Sequence, residues 1–286
     1  MATHTFEGQR CLVTGAASGI GRAVAEALGA EGALLCLTDI NEQALAETVS
    51  GLRASGATVL AAQAMDIADA DAVLAFAEAV HAEHGSMDAL LNIAGISIWG
   101  TVEQLELDHW RRLININLMG PVHVMHAFLP PMIAAGRGGH LINVSSAAGL
   151  FGLPWHAAYS ATKFGLRGIS EVLRFDLRAH GIHVGLVCPG GVDTGLVRTI
   201  EIVGVDRDDP EVQRLTSRFQ RHAVTPERAA QAILRGMRRR KYMIFTSPDI
   251  RIGYWWQRKF APPYEWAMRL LNAYVTRAAN KQRKKV

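Results

Sequence analysis

The chain has 286 residues, of which 49% are hydrophobic and 20% are charged; this balance excludes an intrinsically disordered protein and fits one large α/β domain, with or without an extension. The formal net charge of +4 is unevenly distributed, because residues 235–286 hold 14 of the 30 Lys and Arg residues but only 2 of the 26 Asp and Glu residues. The body is therefore mildly acidic, which excludes a uniformly basic nucleic-acid-binding protein, and we expect no nucleic-acid partner.

Short β-rich runs alternate along the chain with longer helical patterns. Several of these runs, such as residues 34–37 (LLCL) and 141–144 (LINV), are apolar without alternation, as expected when helices cover both faces of a parallel sheet. The predicted strands are 10–14, 33–38, 58–64, 88–92, 140–145, 182–188 and 242–246, and the predicted helices include 20–31, 42–54, 70–83, 156–180 and 226–240. This order predicts an α/β fold with a doubly wound, seven-stranded parallel sheet and helices on both faces.

A glycine-rich segment, residues 14–21 (TGAASGIG), joins the first predicted strand to the first predicted helix. A turn of this kind lets backbone N–H groups approach a pyrophosphate, and the helix N-terminus adds partial positive charge. Glycines at this spacing also occur in ordinary loops, but their position directly after the first strand favours a dinucleotide site in a Rossmann-type fold. The residues expected to contact the cofactor are Gly15, Ser18, Gly19, Ile20 and Gly21.

The second predicted strand leads into Asp39 and Ile40, which lie about 20 residues beyond the glycine-rich segment, where an acidic residue is expected. A carboxylate at this place accepts hydrogen bonds from the adenosine ribose hydroxyls and repels a 2′-phosphate. Asp39 therefore predicts NAD, with NADP as the alternative, and Arg22 is a nearby cation that would weaken the preference. The other interpretation of Asp39 is a plain turn residue at a strand end.

Tyr159 and Lys163 are four residues apart in a helical pattern, so they share one face of the helix. Ser146 lies 13 residues before the tyrosine, just past a predicted strand. An isolated pair with this spacing is common on protein surfaces, whereas its combination with the serine and the nucleotide motif indicates a catalytic set. We interpret the neighbouring Ser145 as a structural hydroxyl.

With these motifs the sequence resembles the short-chain dehydrogenase/reductase family from about Gly8 to Thr246. The order and spacing of further motifs match as well: residues 66–67, 92–95, 116–120 and 189–194. One departure is Ile93, where the family often has a second asparagine. The resemblance implies a NAD(P)-dependent oxidoreductase, an alcohol dehydrogenase or ketone reductase, that forms a homotetramer or dimer through helices at 108–134 and 156–180.

The resemblance also implies a role for each catalytic residue. A phenol with a pKa near ~10 is a poor base at neutral pH, and Lys163 and the cationic oxidised nicotinamide would both lower the pKa of Tyr159, the acid/base. Lys163 would also bind the nicotinamide ribose, and Ser146 would stabilise charge on the substrate oxygen. Asn117 would hold a water molecule that relays protons from Lys163, unless it only braces a helix.

Further cofactor contacts follow from the resemblance alone. They fall at the adenine, along the cofactor and around the nicotinamide. In that order they are Asp66 and Ile67; Asn92, Ala94 and Gly95; and Pro189, Gly190, Val192 and Thr194, together with Tyr159 and Lys163.

The substrate pocket should be formed by segments that follow the strand ends. The expected substrate contacts are Ser146, Trp99, Leu153, Trp155, Gly191 and Leu196, the last in a lid over residues 195–223. This lining is apolar and aromatic, with no obvious fixed cation for a carboxylate or phosphate; Arg198 lies in the lid but could as easily face water. We therefore expect a hydrophobic secondary alcohol or ketone as the substrate.

Beyond a catalytic domain at 1–248, residues 249–286 form a basic, aromatic extension in which helical spacing recurs. Three interpretations stay open: packing on the acidic body or across a subunit interface, a surface helix on an anionic membrane, and a solvated end. A rival function is a nucleotide-binding scaffold or membrane-associated regulator with little turnover. The intact set of Ser146, Tyr159 and Lys163 argues against that rival, because a scaffold does not need these groups.

No uninterrupted apolar run approaches the roughly 18 residues that a membrane-spanning helix needs, and residues 1–9 lack the apolar stretch of a secretory signal. The three cysteines are too few for a disulfide framework and favour a reducing compartment. No Cys or His cluster has the spacing of metal ligands. We therefore expect a cytoplasmic protein without a metal, with a peripheral membrane contact as a further expectation.

Overall fold

The computed structural model describes residues 6–193, 200–204 and 223–283. Seven strands form one parallel sheet: β1 (Arg10–Thr14), β2 (Leu34–Asp39), β3 (Thr58–Ala64), β4 (Ala89–Asn92), β6 (Gly139–Val144), β7 (Ile182–Cys188) and β9 (Met243–Phe245). Their order across the sheet is β3-β2-β1-β4-β6-β7-β9. The predicted seven-stranded, doubly wound Rossmann-type sheet is confirmed.

Helices cover both faces of this sheet. The main helices are α1 (Gly19–Ala30), α2 (Glu42–Ala54), α3 (Ala70–His84), α4 (Leu107–Ile114), α5 (Gly120–Ala135), α6 (Ala157–Asp176) and α7 (Pro226–Arg238). One face is packed by α1, α2 and α7, with Leu28, Leu52 and Leu234 in its core. The other is packed mainly by α3 and α5, through Phe76 and Phe128. Burial on both faces explains why the strand sequences are apolar without alternation.

A second, two-stranded sheet was missed by sequence reasoning. It pairs β5 (Ile98–Trp99) in parallel with β8 (Glu201–Ile202). Two-residue strands are too short to produce a period-two pattern, so only the tertiary contact reveals them. The predicted helix at 156–180 also ends earlier, since α6 stops at Asp176 and a 3₁₀ turn, Leu177–His180, follows it.

Helices α4 and α5 and the π-helical turn between them, Asn115–Met119, form one helical stretch, Leu107–Ala135. By length and composition alone, it is the one helix among the described residues that is long and apolar enough to cross a membrane. Core helices meet the same criterion, and α5 buries Val124, Phe128 and Met132 beside the sheet. The apolar character of this stretch therefore has an explanation within the fold.

The predicted helical extension is present as α8 (Pro248–Lys259) and α9 (Ala261–Arg283). Both helices pack on the body through tyrosines: Tyr254 Oη accepts a hydrogen bond from Arg167 Nη2 at 2.8 Å, and Tyr264 Oη accepts one from the backbone N–H of Gly152 at 2.8 Å. Phe151 lies beside Tyr264, with ring centroids 6.3 Å apart. Packing on the body, the first of the three interpretations, thus accounts for these tyrosines.

Candidate active site

The glycine-rich loop lies between β1 and α1 at the carboxyl edge of the sheet. Gly15 has φ +70°, and a Cβ placed there would lie 2.9 Å from the Cα of Ala94. A Cβ at Gly21 would overlap the carbonyl oxygen of Gly15. Side chains at either position would push the loop away from β4 and from the helix start, so glycine maintains the open backbone surface that a pyrophosphate needs.

Helix α1 begins beside this loop with its positive end unneutralised. Ser18 is the N-cap and is exposed, its side chain makes no capping hydrogen bond, and the first turn carries no acidic residue. Arg22, the cation considered above, is ion-paired with Glu26 at 2.9 Å on the surface. The N–H groups and the helix dipole therefore favour an anionic group at this end, and the residues present fit the pyrophosphate of a dinucleotide.

Asp39 is fixed at the end of β2 by two backbone groups. Its Oδ2 accepts a hydrogen bond from Ala17 N–H at 3.0 Å, and its Oδ1 accepts one from Asn41 N–H at 3.0 Å. Each carboxylate oxygen keeps a further acceptor site, so the group can also accept hydrogen bonds from ribose hydroxyls. Ile40 beside it is 70% exposed, which leaves this edge open to an adenosine.

The loop after β4 is held against the glycine-rich loop by Thr14. Its Oγ1 accepts hydrogen bonds from the N–H groups of Ile93 and Ala94 at 3.0 and 3.1 Å. Asn92 is buried and donates from Nδ2 to Oδ1 of Asn143 at 2.8 Å. The side chain of Asn92 therefore belongs to the interior between β4 and β6, whereas the backbone of Ala94 lies beside the glycine-rich loop.

Asp66 and Ile67, expected at the adenine, differ in their surroundings. Asp66 is exposed and accepts a hydrogen bond from Ala68 N–H at 2.9 Å. Ile67 is buried in the core, where its side chain closely approaches Gly120. Its carbonyl accepts a hydrogen bond from Nδ1 of His123 at 3.0 Å. Ile67 could therefore contact an adenine only through its backbone, because its side chain packs in the core.

Ser146, Tyr159 and Lys163 come together at the carboxyl end of β6. Ser146 starts a short 3₁₀ turn, where its Oγ accepts a hydrogen bond from Ala148 N–H at 3.1 Å. Tyr159 is 8% exposed on α6, and the hydroxyl of Ser146 is near enough to favour the ionised form of its phenol. The two hydroxyl groups therefore come together at the end of β6.

Lys163 lies one helical turn beyond Tyr159 and is 5% exposed. Its Nζ donates a hydrogen bond to the carbonyl of Val144 at 3.0 Å and lies 5.7 Å from the centroid of the Tyr159 ring. Burial lowers the pKa of Lys163 to about 8. A buried ammonium group with one protein acceptor can still donate to other groups, as the ribose role requires.

Burial raises the pKa of Tyr159, and the nearby Ser146 hydroxyl opposes that rise. The direction is opposite to the lowering expected from Lys163 and an oxidised nicotinamide. The physical reason is desolvation, which disfavours the phenolate in a buried site. Ser146 is the neighbouring protein side chain that favours the phenolate, and the lowering by a bound nicotinamide stays a prediction.

Asn117 is fully buried in the π-helical turn. Its side-chain amide makes two hydrogen bonds with the backbone of Ile96. Oδ1 accepts one from the Ile96 N–H at 2.8 Å, and Nδ2 donates one to the Ile96 carbonyl at 2.8 Å. Turns of this kind are frequent at functional sites. Asn117 therefore braces the loop after β4, beside Gly95, and its role as a water-holding relay stays a prediction.

The serine, tyrosine and lysine thus face the same edge of the sheet as the glycine-rich loop and Asp39. A family model described as short chain dehydrogenase matches residues 9–202, more than half of the chain. The chain is a short-chain dehydrogenase. It is an oxidoreductase of the NAD(P)-dependent kind, and the family resemblance seen in its sequence is confirmed.

Known proteins similar to this dehydrogenase cover most of its length. The protein SadH of Mycobacterium tuberculosis is 38% identical over 237 residues, which are 82% of this chain and 84% of that protein. A short-chain dehydrogenase from Burkholderia phymatum, solved in complex with NAD, is 29% identical with a TM-score of 0.80, and the match covers 89% of this chain and 94% of that one. A metagenomic short-chain oxidoreductase in complex with NADP is 32% identical with a TM-score of 0.67, covering 84% and 96%.

The segment after β7 approaches the turn that Ser146 starts. The carbonyl of Pro189 accepts a hydrogen bond from Ala147 N–H at 2.8 Å. Gly190 faces Ile250 of α8, and Val192 pairs with Val224 just before α7. The predicted contacts Thr194 and Leu196, with most of the predicted lid, lie outside the described residues.

His156 is a candidate site residue that sequence reasoning missed. Its ring lies 4.3 Å from the ring of Trp99 and 6.2 Å from that of Tyr159, measured between centroids. The preceding Trp155 has φ +67°, an unusual conformation for a bulky residue, and its carbonyl accepts a hydrogen bond from Gly100 N–H at 2.9 Å. The available signal was spacing, since a residue three positions before Tyr159 lies on the same helix face.

Proposed function

We propose that this dehydrogenase interconverts hydrophobic secondary alcohols and ketones with NAD. The observation that carries the proposal is the convergence of Ser146, the buried Tyr159 and the buried Lys163 at the end of β6, with Lys163 Nζ 5.7 Å from the centroid of the Tyr159 ring. Asp39 favours NAD over NADP, because its carboxylate, oriented by two backbone N–H groups, would accept hydrogen bonds from the ribose hydroxyls of NAD and repel the 2′-phosphate of NADP.

The residues divide the work around the reacting carbon. Bound NAD would supply the hydride acceptor for alcohol oxidation, and NADH would supply the hydride donor for ketone reduction. Tyr159 accepts the hydroxyl proton and returns it in the reverse direction, while Ser146 donates a hydrogen bond to the substrate oxygen as charge develops there. Lys163 stabilises the phenolate and orients the ribose, and Asn117 connects Lys163 to solvent through water.

The surroundings of Tyr159 support an apolar substrate. Tyr159 belongs to a hydrophobic cluster with Ile98, Leu105 and Ala148, and Leu153 packs against it. His156 adds a ring beside the tyrosine, and the ring of Trp99 packs on His156 at a tilted angle. Binding sites of this composition owe most of their affinity to apolar contacts and their orientation to a few polar groups.

His156 is the polar group that we assign to substrate orientation. Its Nδ1 donates to the carbonyl of Pro154 at 2.6 Å, which leaves Nε2 of a neutral ring as an acceptor. Burial lowers the pKa of His156, which keeps the ring neutral. Nε2 can therefore accept a hydrogen bond from a second hydroxyl of the substrate.

Replacing His156 with phenylalanine should keep the ring contact with Trp99 and remove the hydrogen-bond acceptor. We expect KM for hydroxylated ketones to rise about tenfold, the value of one neutral hydrogen bond, with KM for the matching unhydroxylated ketones unchanged. Steady-state kinetics on such substrate pairs provide the measurement. An equal change for both members of each pair would contradict the assignment.

The proposed activity is tested by the absorbance change of the nicotinamide with a panel of alcohols and ketones and both cofactors. The panel runs from small diols to aryl ketones, terpenoids and steroids. Preferred turnover of bulky apolar compounds with NAD(H) supports the proposal, and better turnover of small polyols contradicts the substrate class. No turnover of any compound in the panel, with the cofactor still bound, would favour the scaffold interpretation.

Replacing Asp39 with serine should raise the ratio of kcat/KM for NADP to that for NAD by roughly tenfold or more, because the negative charge that repels a 2′-phosphate is lost. Asp39→Asn is the matched control for shape, since it retains an acceptor for one of the two backbone N–H groups. Both variants should shift the ratio in the same direction. An unchanged ratio in both would overturn the role of Asp39.

A homo-oligomer, tetramer or dimer, is part of the proposal. Helix α6 exposes Phe164, Val172 and Phe175, the last at 61%, and Leu107 at the start of α4 is 70% exposed. Exposed apolar side chains on these two helices support an interface between copies of the chain there.

A further inference from the structure

Helices α8 and α9 leave most of their surface uncovered. No residue of α8 is buried, and in the described part of α9 only Tyr264 and Met268 are half-buried. The extension contacts the body through Ile250, Tyr254 and Tyr264, which pack on the cluster around Phe151, and the two tyrosines also hydrogen-bond to the body. The side chains outside these contacts present a broad surface to their surroundings.

This surface is rich in large apolar side chains. Those of α8 and its end are clustered: the ring centroids of Trp255 and Trp256 lie 6.3 Å apart, and Phe260 lies 5.0 Å from Trp256. The exposed members are Ile252, Trp255, Trp256, Phe260, Trp266, Leu270, Leu271 and Tyr274. An exposed patch of this kind on a protein surface marks an interaction site.

Cations accompany the aromatic groups. Arg251, Arg258 and Lys259 are exposed and line a cavity of about 510 Å³ between α8 and β9. Its remaining walls are the side chains of Met243, Phe245, Tyr254 and Trp255. The cavity thus combines an apolar wall with three positive charges, which is the chemistry of an amphipathic anion rather than of a small polar solute.

We propose that the α8–α9 surface docks on an anionic phospholipid bilayer. Tryptophan and tyrosine are the side chains favoured at the level of lipid headgroups, and clustered Lys and Arg are attracted to anionic lipid. The charge excess of residues 235–286 provides long-range attraction to such a surface. A second copy of the chain fits less well, since a symmetric contact through this surface would oppose like charges.

The docking surface is connected to the substrate side of the catalytic site. Tyr264 of α9 holds the backbone of Gly152, and a Cβ at Gly253 of α8 would contact Phe151 at 3.3 Å. Both contacts lie in the loop between Ser146 and Tyr159. If the proposed function holds, an apolar substrate dissolved in the bilayer lies next to the loop that lines its pocket.

The test uses the full chain, without substrate or cofactor, in co-sedimentation with phosphatidylcholine vesicles that contain or lack phosphatidylglycerol. We expect binding to the anionic vesicles, weak binding to the neutral ones, and release by high salt. The triple variant R251Q/R258Q/K259Q should bind anionic vesicles about 100-fold more weakly. The matched control R53Q/R178Q/R228Q removes three exposed cations elsewhere. It should bind anionic vesicles about 30-fold more tightly than the first triple variant.

The aromatic part is tested by W255S/W256S, which should lose the binding that remains at high salt. Absence of vesicle binding, or equal weakening in the two triple variants, would overturn the proposal. So would an oligomer, seen by analytical ultracentrifugation, that the tryptophan variant disrupts. Turnover of a water-soluble ketone by the same variants reports on the proposed function separately, and it should be unchanged.

Discussion

Replacing Tyr159 with phenylalanine should lower kcat by about 10²- to 10⁴-fold, the range that one positioned acid/base contributes. The structure isolates this effect, because phenylalanine keeps the buried ring and its 5.7 Å approach to Lys163 while it removes only the hydroxyl group. Affinity for NADH should change little, because Asp39 and the glycine-rich loop are held by backbone hydrogen bonds that do not involve Tyr159.

The measurement is single-turnover and steady-state kinetics across pH, combined with NADH binding followed by its fluorescence. In the wild type, alcohol oxidation should rise with pH as the phenol ionises, and this rise should disappear in the variant. Tyr242→Phe is the matched control, because Tyr242 is also a tyrosine whose pKa is raised by burial, to about 12, but it lies beside β9, away from Ser146. Substantial activity in the Tyr159 variant would refute the acid/base role.

Local sequence signals predicted the sheet and the glycine-rich turn because their causes are local. A strand buried on both faces is apolar throughout, as in β2 and β6, and the glycines of the loop are fixed by backbone geometry at Gly15 and Gly21. The helical spacing of Tyr159 and Lys163 similarly follows from one turn of α6. Each of these features needs only neighbouring residues to be recognised.

The features that were missed depend on contacts between distant parts of the chain. The β5–β8 pair joins segments about a hundred residues apart in a parallel arrangement that no local pattern marks. Ile67 is directed into the core by its approach to Gly120, although the motif around it suggested an open contact. The proximity of His156 to Trp99 likewise arises only after the loop through Trp155 has folded back on Gly100.

Desolvation is a second cause that the sequence does not display. The pKa of Tyr159 moves upward and that of Lys163 downward because both groups are buried, whereas the sequence suggested only their attraction for each other. Burial disfavours each charged form. The free-energy cost of this arrangement falls on the folded protein.

Replacing Lys163 with methionine should lower kcat by about 10²- to 10³-fold, as expected when one electrostatic stabiliser of the reacting groups is lost. The same variant should unfold at higher urea concentration at pH 7. Methionine matches the length of the buried stem but carries no charge, so it avoids the desolvation that lowers the pKa of Lys163 to about 8 from the 10.5 of a free lysine. This shift corresponds to at most about 3 kcal/mol of stability gained, less the lost hydrogen bond to Val144.

The difference in unfolding free energy between the wild type and the methionine variant should depend on pH. Below pH 8 lysine is protonated in both the folded and the unfolded state, so the full cost is present and methionine is the more stable variant. Between pH 8 and 10.5 the unfolded state holds more protons than the folded one, so the wild type gains stability as the pH rises. The advantage of methionine should therefore shrink across this range and vanish above it.

Urea unfolding of both proteins without cofactor, from pH 7 to pH 11, measures this difference. Lys241→Met is the control, because Lys241 is exposed and its substitution should leave the difference independent of pH. A Lys163 variant that is less stable than the wild type at pH 7 would show that the ammonium group stabilises the fold. A variant that is more stable but nearly inactive would show that the fold tolerates a buried charge because catalysis requires it.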